Sequence, residues 1–355
     1  MTPAISVIMA AYNGAALIGA TLATLTRQTR GDFEVIVVDD CSTDDTREIV
    51  ARWPDARVRL VSLARNGGPV RARNHALAQV RGRFIAALDQ DDLCHPDRFA
   101  RQVAFLEANP HVALVGSAAE VLAENGALLR PRGPRTTSPA LIGWLLRIGN
   151  PLVWSSVMLR ADVARALDPF TRPEILYAED FDLYQRVSRH GAVARIDDPL
   201  LIYRSHAGGA SQRYEDTMLA SAARVLAEAN ETTFGAASPQ AARLFVRHLM
   251  HGEPVPDAAT MRQLGTMLEM ARRHHVAVTS PSEDDAGLIA RETRRRWAGV
   301  VRAGLRAGTI GVRDALAAGP ILPAARIDQM AWNRMVGRVR RALPHQYSRD
   351  QIFAA

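Results

Sequence analysis

Lysine is missing from this sequence of 355 residues, in which all 44 basic residues are arginines. A compositional bias of the source genome is sufficient to explain that. The absence nevertheless excludes mechanisms that depend on a lysine, such as the phosphate-binding P-loop and Schiff-base catalysis. Cysteine is nearly missing too, since Cys41 and Cys94 are the only two. They argue against a disulfide framework or a thiolate zinc site and are compatible with a reducing cytoplasm.

Long apolar runs are also missing. No run approaches the roughly 20 residues that a membrane-spanning helix needs. The chain enters an apolar stretch at 5–11 with no charged leader before it, so no signal sequence is predicted. The composition, 48% hydrophobic and 23% charged, is typical of a globular protein. We expect a cytoplasmic protein, not integral to a membrane, with two domains or one large domain and an appendage.

The first 110 residues contain apolar strands that alternate with helical periods. The strands are predicted at about 5–11, 33–38, 58–63 and 84–88, and the helices within 15–29, 43–52, 70–80 and 96–108. Ser42 is the expected cap of the second helix. This alternation predicts a doubly wound, mainly parallel α/β sheet, whose ligands bind beyond the carboxyl ends of the strands.

The fourth strand stops on an acidic stretch that contains Asp89, Asp91 and Asp92. Side chains at i and i+2 of a strand share a side, so Asp89 and Asp91 are expected within about 7 Å of each other. Paired carboxylates suit a hard divalent cation such as Mg²⁺ or Mn²⁺. Acids after a strand also cap helices, and taken alone the motif leaves both interpretations open.

Other polar residues follow neighbouring strands at the same edge of the predicted sheet. They are Tyr12 and Asn13 after the first strand, Asp39 after the second, and the loop 65–69, which contains Arg65, after the third. Independent helix caps would have no reason to include an aromatic and a basic residue on this rim. The convergence favours a ligand site over capping alone.

The alternating rhythm is lost after residue 110. Residues 112–118 are predicted as a strand, Glu124-Asn125-Gly126 as a tight turn, and 141–148 as a short helix. A helix from about 177 to 190 carries Glu179, Asp180 and Asp182 in its first turns, where acids can simply compensate the helix dipole. Trp154 could stack on the ring of a bound ligand, although a buried core tryptophan is the better interpretation.

The region beyond residue 212 is predicted to be helical and is rich in arginine. Helices are expected at 215–229, 238–250, 259–275, 286–307 and 311–318, and residues 286–355 hold 13 arginines against 4 acids. Such helices could rest on the headgroups of an anionic membrane, and an ordinary solvated face is the alternative. A nucleic acid is not favoured as a partner, because aromatic residues are few and no recognised nucleic-acid-binding motif is present.

Six ordered motifs together resemble glycosyltransferase family 2 over about residues 4–212. They are Ala-Tyr-Asn at 11–13, Val-Asp-Asp at 38–40, Arg-Asn-Gly-Gly at 65–68, Ala-Arg-Asn at 72–74, Leu-Asp-Gln-Asp-Asp at 88–92 and Ala-Glu-Asp-Phe-Asp-Leu at 178–183. The resemblance implies an inverting enzyme of the GT-A fold, with an acceptor-side region and a helical C-terminal extension added to the sheet.

The resemblance also implies roles for individual residues. Tyr12 and Asp39 would hold the nucleotide base, with Asn13 beside them, and Arg73 would line the nucleotide site. Asp89 and Asp91 would bind the ribose and the metal–diphosphate, and His206 would lie near the metal. Asp180 would be the catalytic base, positioned by Glu179. Arg65 and Arg73 could stabilise the diphosphate, or form ordinary salt bridges.

These expectations define a metal-dependent inverting sugar transfer from a nucleoside-diphosphate sugar, with UDP- or dTDP-sugars favoured. The acceptor would be a hydroxyl of a glycan, a lipid-linked sugar or a cell-envelope precursor. Residues 1–110 would bind the donor, 111–212 the acceptor, and 213–355 would form the helical region. The rivals are a sugar-nucleotide nucleotidyltransferase, which would be expected to have a Gly-rich basic loop after the first strand, and a catalytically dead sugar-nucleotide binder.

Overall fold

A nine-stranded mixed sheet organises the computed structural model, which describes residues 2–130, 133–206, 208–209 and 213–317. The strands are β1 Ile5–Ala11, β2 Phe33–Asp39, β3 Val58–Ser62, β4 Phe84–Ala87, β5 Leu93–Cys94, β6 Val112–Leu122, β7 Leu128–Leu129, β8 Met158–Arg160 and β9 Ala192–Arg204. Their order across the sheet is β3-β2-β1-β4-β8-β6-β9-β5, and β7 pairs with β6 at the side.

The parallel half, β3-β2-β1-β4, is the part that the apolar pattern predicts. All seven residues of β2 are buried, as near-continuous apolar character requires of a strand covered on both faces. β1 lies between β2 and β4, with Ile5 opposite Phe33 on one side and Phe84 on the other. The carboxyl ends of these strands therefore share one rim, where Tyr12, Asp39 and Asp89 follow.

The other half of the sheet is mixed. β8 is antiparallel to both β4 and β6, whereas β9 is parallel to β6 and antiparallel to β5. The sequence analysis did not predict β9. Its apolar pattern is interrupted by Asp197-Asp198-Pro199, and the pairing with β6 shifts register at this point, between Ser117 and Ala118.

Helices cover both faces of the sheet and form the C-terminal region. Up to residue 187 they are α1 Ala15–Thr26, α2 Thr46–Ala51, α3 Gly68–Leu77, α4 Arg98–Ala108, α5 Pro139–Leu146, α6 Ala161–Arg165 and α7 Glu179–Val187. The cap prediction for Ser42 is wrong. α2 begins only at Thr46, and Ser42 Oγ instead accepts a hydrogen bond from the backbone N–H of Asn13.

A buried arginine holds the seam between the two halves of the sheet. Arg98 of α4 is fully buried and donates to the carbonyls of Ala87 at 2.8 Å and Val157 at 3.1 Å. Its Nε donates to Gln102, whose amide in turn donates to the carbonyl of Ser156 at 2.7 Å. These side chains supply donors for carbonyls beside the β4–β8 junction.

The C-terminal region is helical, as predicted. Its helices are α8 Glu215–Ala229, α9 Glu231–Phe234, α10 Ser238–Leu244, which continues as a π-helix over Phe245–Met250, α11 Ala258–Thr279, α12 Glu283–Ala307 and α13 Val312–Ala317. One hydrophobic core extends from the sheet into this region, for example from Ile8 to Trp144 and Leu264.

None of the described helices combines the length and apolarity required to span a membrane. Residues 318–355, which hold part of the arginine-rich segment, lie outside the described part of the chain.

Candidate active site

Three carboxylates follow β4 in the turn that leads to β5. Each of Asp89, Asp91 and Asp92 offers an oxygen, and these three atoms lie within 4.8 Å of one another. The backbone N–H of Asp89 donates to Ser155 Oγ at 3.0 Å, which ties the turn to the segment before β8. The turn therefore concentrates negative charge at the carboxyl edge of the sheet, as the sequence predicts.

His206 lies against Asp91, with Nε2 2.9 Å from Oδ2. The contact depends on β9, which ends at Arg204 and delivers the following residues to the acidic turn. Arg204 also donates from Nε to the carbonyl of Asp91, and from Nη2 to Thr21 Oγ1 at 2.9 Å. The structure thus brings His206 to the acidic turn across 115 positions of sequence.

Asp92 plays a different part from its neighbours. Only 1% of it is exposed, and its Oδ1 accepts a hydrogen bond from the backbone N–H of Arg204 at 3.0 Å. Burial, reinforced by the charges of Asp89 and Asp91, raises its pKa to about 8. Asp92 does not cap the next helix, because α4 begins at Arg98 after Asp97. It anchors β9 to the acidic turn.

Arg73 connects the acidic turn to α7. Its Nη2 donates to Asp89 Oδ1 at 3.0 Å, and its Nη1 donates to Glu179 Oε1. The guanidinium also lies 4.4 Å from the ring centroid of Trp154, which is buried, as the sequence analysis favoured. Burial alone would lower the pKa of Arg73, but the charges of Asp89 and Glu179 outweigh it and raise that pKa.

Asp180 lies beside this ion pair at the first turn of α7. Its Oδ2 accepts from Asn150 Nδ2 at 3.0 Å, and its Oδ1 from the backbone N–H of Phe181 at 2.6 Å. Burial, followed by the charge of Glu179, raises its pKa to about 6. A carboxylate with such a pKa suits proton transfer near neutral pH.

Asp182, the third acid of α7, is a structural residue. It is buried, and both of its oxygens accept from arginines, Arg172 on one side and Arg186 at 2.9 Å on the other. The three acids are therefore not equivalent dipole-compensating charges, because each has different partners.

Tyr12 and Asn13 follow β1 at the same rim. The ring of Tyr12 is 47% exposed, and its backbone N–H and carbonyl both bond to the side-chain amide of Gln90 at 3.0 Å. Asn13 has a positive φ of 47°, and its Oδ1 accepts from the backbone N–H of Thr43 at 2.9 Å. Gln90, at the variable place in the acidic motif, thus fixes the loop that presents the aromatic ring.

Asp39 is fully buried and already has partners. Its oxygens accept from the backbone N–H of Ser42, and Arg47 Nε donates to Oδ2 at 2.6 Å. Asp40 instead accepts from the N–H groups of Gly67 and Gly68 and so holds the loop before α3. Arg65 in that loop is exposed and forms no ion pair with any residue that the structure describes.

The donor set at the acidic turn suits a hard divalent cation. The carboxylate oxygens of Asp89 and Asp91 are partly exposed and close together, and the imidazole of His206 touches one of them. Mg²⁺ takes oxygen ligands and keeps room for water and phosphate, and Mn²⁺ accepts carboxylates and imidazole as well. The residues present therefore fit either ion.

Two solved structures share this fold. S. aureus TarS, residues 1–349, superposes with a TM-score of 0.53 at 19% identity, over 86% of this chain and 91% of that one. The mannosyltransferase PcManGT from Pyrobaculum calidifontis, solved with GDP-Man and Mn²⁺, superposes with a TM-score of 0.50 at 20% identity, over 89% and 87%. The fold is accordingly that of the GT-A glycosyltransferases, and the predicted fold class is confirmed.

Sequence comparison gives the family. Residues 6–164 match the family described as "Glycosyl transferase family 2". An uncharacterized glycosyltransferase of Haemophilus influenzae is 30% identical over 222 residues, which cover 60% of this chain and 68% of the relative. The Escherichia coli protein WfaP, named as a UDP-Glc:alpha-D-GlcNAc-diphosphoundecaprenol beta-1,3-glucosyltransferase, is 30% identical over 58% of this chain and 79% of its own length. The chain belongs to glycosyltransferase family 2, as its motifs predict.

Proposed function

We propose that this protein transfers a sugar, with inversion and with the help of a divalent metal, from a nucleoside-diphosphate sugar to a hydroxyl of a glycan, lipid-linked or cell-envelope acceptor. The observation that carries the proposal is the chain of contacts from Asp91 and Asp89 through Arg73 to Glu179 and Asp180. It joins a cation-binding edge to a carboxylate with a pKa of about 6.

The proposed donor site lies at the carboxyl ends of β1 and β2. The exposed ring of Tyr12 can stack on a nucleotide base, with Asn13 and Asp39 beside it. Because Asp39 already binds Arg47, contact with a base N–H would require the carboxylate to share its acceptor capacity. UDP- and dTDP-sugars are favoured, and the WfaP name, which specifies UDP-Glc, supports a uridine nucleotide.

The diphosphate is proposed to lie at the acidic turn. Asp91, Asp89 and His206 would hold Mg²⁺ or Mn²⁺, which would neutralise the charge of the leaving diphosphate when bound. Arg73 orients Asp89 by donating to its Oδ1, and the exposed Arg65, which has no ion-pair partner in the described part of the chain, is available to a phosphate oxygen.

Asp180 is proposed as the catalytic base. It would take the proton from the acceptor hydroxyl as the hydroxyl oxygen attacks the anomeric carbon and the bond to the diphosphate breaks. Asn150 and the backbone N–H of Phe181 fix the orientation of the Asp180 carboxylate. Glu179, which Arg73 holds by a hydrogen bond, would position Asp180 as its neighbour in the first turn of α7. One base acting opposite the leaving group gives inversion.

The proposal also assigns a role to each of three regions of the chain. Residues 1–110 would bind the donor, 111–212 would supply the acceptor side and the base, and 213–355 would form a helical region. A cytoplasmic location, with contact between the arginine-rich residues 286–355 and an anionic membrane surface, would suit a lipid-linked acceptor such as the one in the WfaP name.

Two rivals remain testable. A nucleotidyltransferase would form, rather than consume, a sugar nucleotide, and the loop Tyr12-Asn13-Gly14 supplies no basic phosphate-binding residue. A catalytically dead binder would bind the donor without turnover. Such a protein would not need a carboxylate at the position of the proposed base, whereas this chain has Asp180 there.

The test is nucleotide release from UDP-, dTDP- and GDP-sugars with Mn²⁺ or Mg²⁺, against a panel of glycan and lipid-linked acceptors. Asp91→Asn and Asp180→Asn are each expected to lower kcat at least 100-fold. Asp32→Asn, at an exposed aspartate whose ion-pair partner among the described residues is Arg30, is the matched control and should behave as wild type.

Full turnover by wild type in the presence of a chelator would overturn the metal assignment. Full turnover by Asp180→Asn would overturn the base assignment. Donor binding without turnover across the whole panel would favour the dead binder.

A further inference from the structure

Two tyrosines stack at the entrance to α7. The rings of Tyr177 and Tyr214 lie 4.2 Å apart between centroids and only 8° from parallel. Tyr177 stands two positions before Glu179, whereas Tyr214 immediately precedes α8, the first helix of the C-terminal region. The stack therefore joins that region directly to the segment that carries the proposed base.

The backbone of Tyr177 is in an unfavourable conformation. Its φ is 61°, in the left-handed region that a residue with a bulky side chain rarely adopts. Such a conformation persists only where the surroundings hold it, and such positions cluster at functional sites. The stacked ring of Tyr214 can hold Tyr177 in this conformation, since an aromatic pair is a favourable contact in addition to the area it buries.

The conformation of Tyr177 sets where α7 begins. Ala178 caps the helix without a side-chain hydrogen bond, so the direction of the chain through 177–178 determines how Glu179 and Asp180 enter the first turn. A second contact from the same region supports this arrangement. Arg172 bridges the buried Asp182 of α7 and Glu228 of α8, with Nη2 2.7 Å from Glu228 Oε2.

Resting on the function proposed above, we propose that Tyr214 is a positioning residue for the transfer. By stacking on Tyr177 it keeps that residue left-handed and so keeps Asp180 aligned with the acceptor hydroxyl. The first helix of the C-terminal region thereby serves the reaction as a support for the base.

The test separates the aromatic contact from the backbone conformation. Tyr177→Ala removes the stack and leaves a residue that still disfavours positive φ, whereas Tyr177→Gly removes the stack but adopts positive φ freely. We expect kcat of Tyr177→Gly to exceed that of Tyr177→Ala about tenfold, from the usual cost of the left-handed conformation for a non-glycine residue. The donor KM should stay within about twofold of wild type in both variants.

Tyr214 gives the reciprocal comparison. Tyr214→Ala should lower kcat about 10- to 100-fold at unchanged donor KM, because small misplacements of a reacting group cost this much. Tyr214→Phe keeps the ring and should restore kcat to within about twofold of wild type. In the Tyr177→Gly background, Tyr214→Ala should change kcat less than twofold, since the stack is already absent and glycine adopts positive φ without a steric penalty.

Equal losses in Tyr177→Gly and Tyr177→Ala would overturn the proposal and would indicate that the ring of Tyr177 contacts substrate. An undiminished kcat in Tyr214→Ala would overturn it as well. Failure of the proposed function is distinguishable from both, because wild type itself would then transfer no sugar. Should Tyr214→Ala not fold, the comparison of glycine with alanine at position 177 decides the matter alone.

Discussion

Arg73 and Glu179 are 106 positions apart in sequence and form a buried ion pair between α3, which packs against β1 and β2, and the helix that carries Asp180. The same guanidinium binds Asp89, so one side chain contacts the proposed metal turn and the residue beside the proposed base. Arg73 Nε and Glu179 Oε2 have no hydrogen-bond partner among the described residues. The pair is therefore joined by one hydrogen bond, from Arg73 Nη1 to Glu179 Oε1, and its geometry depends on the positions of both α3 and α7.

Arg73→Met is expected to destabilise the fold by about 3–5 kcal/mol, because it leaves Glu179 buried without a counter-charge. The free energy of unfolding in urea measures this. Arg73→Met combined with Glu179→Met should recover part of the lost stability, since Glu179 no longer leaves a buried charge unpaired while Asp89 still lacks its arginine partner, and it should not recover activity. A loss in the double variant equal to the sum of the losses in Arg73→Met and Glu179→Met would show that the two residues are not coupled.

The acid limb of the pH–rate profile is expected at a pKa near 6. Burial and the charge of Glu179 raise the pKa of Asp180 to about 6, and the base acts only when ionised. The value of kcat/KM should therefore fall as the pH drops through 6, rather than near 4 as for an ordinary aspartate. Asn150→Ala removes a hydrogen bond that favours the ionised form, so it should move the limb to higher pH. A limb near pH 4 in wild type would contradict the assignment.

Arg98→Met is expected to cost about 2–5 kcal/mol of stability. The substitution removes the Arg98 donor from the buried carbonyl of Ala87 and leaves the carbonyl of Val157, at the β4–β8 seam, with the backbone N–H of Ala87 as its donor. Arg101→Met on the same helix is the matched control. Arg101 is exposed, and its ion-pair partner among the residues that the structure describes is the exposed Asp198, so the change should stay below about 1 kcal/mol. Equal losses in the free energy of unfolding for Arg98→Met and Arg101→Met would contradict the stabilising role assigned to Arg98 at the β4–β8 seam.

Stability should fall on acidification because of His275. Burial against α5 lowers the pKa of this histidine to about 4, so the unfolded chain binds a proton that the folded chain does not at pH values between about 4 and 6.5. Unfolding free energy should drop by about 2 kcal/mol more between pH 6.5 and pH 5 in wild type than in His275→Gln.

The apolar pattern predicts the parallel half of the sheet because β1, β2 and β4 are buried on both faces, while the edge strand β3 is partly exposed but apolar at alternate positions. β9 escaped that pattern, since Asp197-Asp198-Pro199 break it where the strand shifts register. The position of His206 beside Asp91 depends on β9. The family resemblance predicts His206 near the metal, but the contact with Asp91 itself is seen only in the folded structure.

Site residues differ in how far motifs can predict them. Asp89 and Asp91 are two positions apart in sequence, and this short separation keeps them close in the turn after β4. Gln90 and Arg204 act through the backbone of distant residues, and no spacing rule signals such contacts. Asp39 shows a further limit, because its motif predicts a ligand for the nucleotide but not the ion pair with Arg47.

The central claim, a single displacement in which Asp180 takes the acceptor proton, is tested most directly by the anomeric configuration of the first product. Proton NMR of the glycoside formed from an α-linked nucleoside-diphosphate sugar gives that configuration before any equilibration. Inversion predicts a β-linked product from wild type and from the slow Asp180→Asn variant alike. An α-linked product from wild type would contradict the claim.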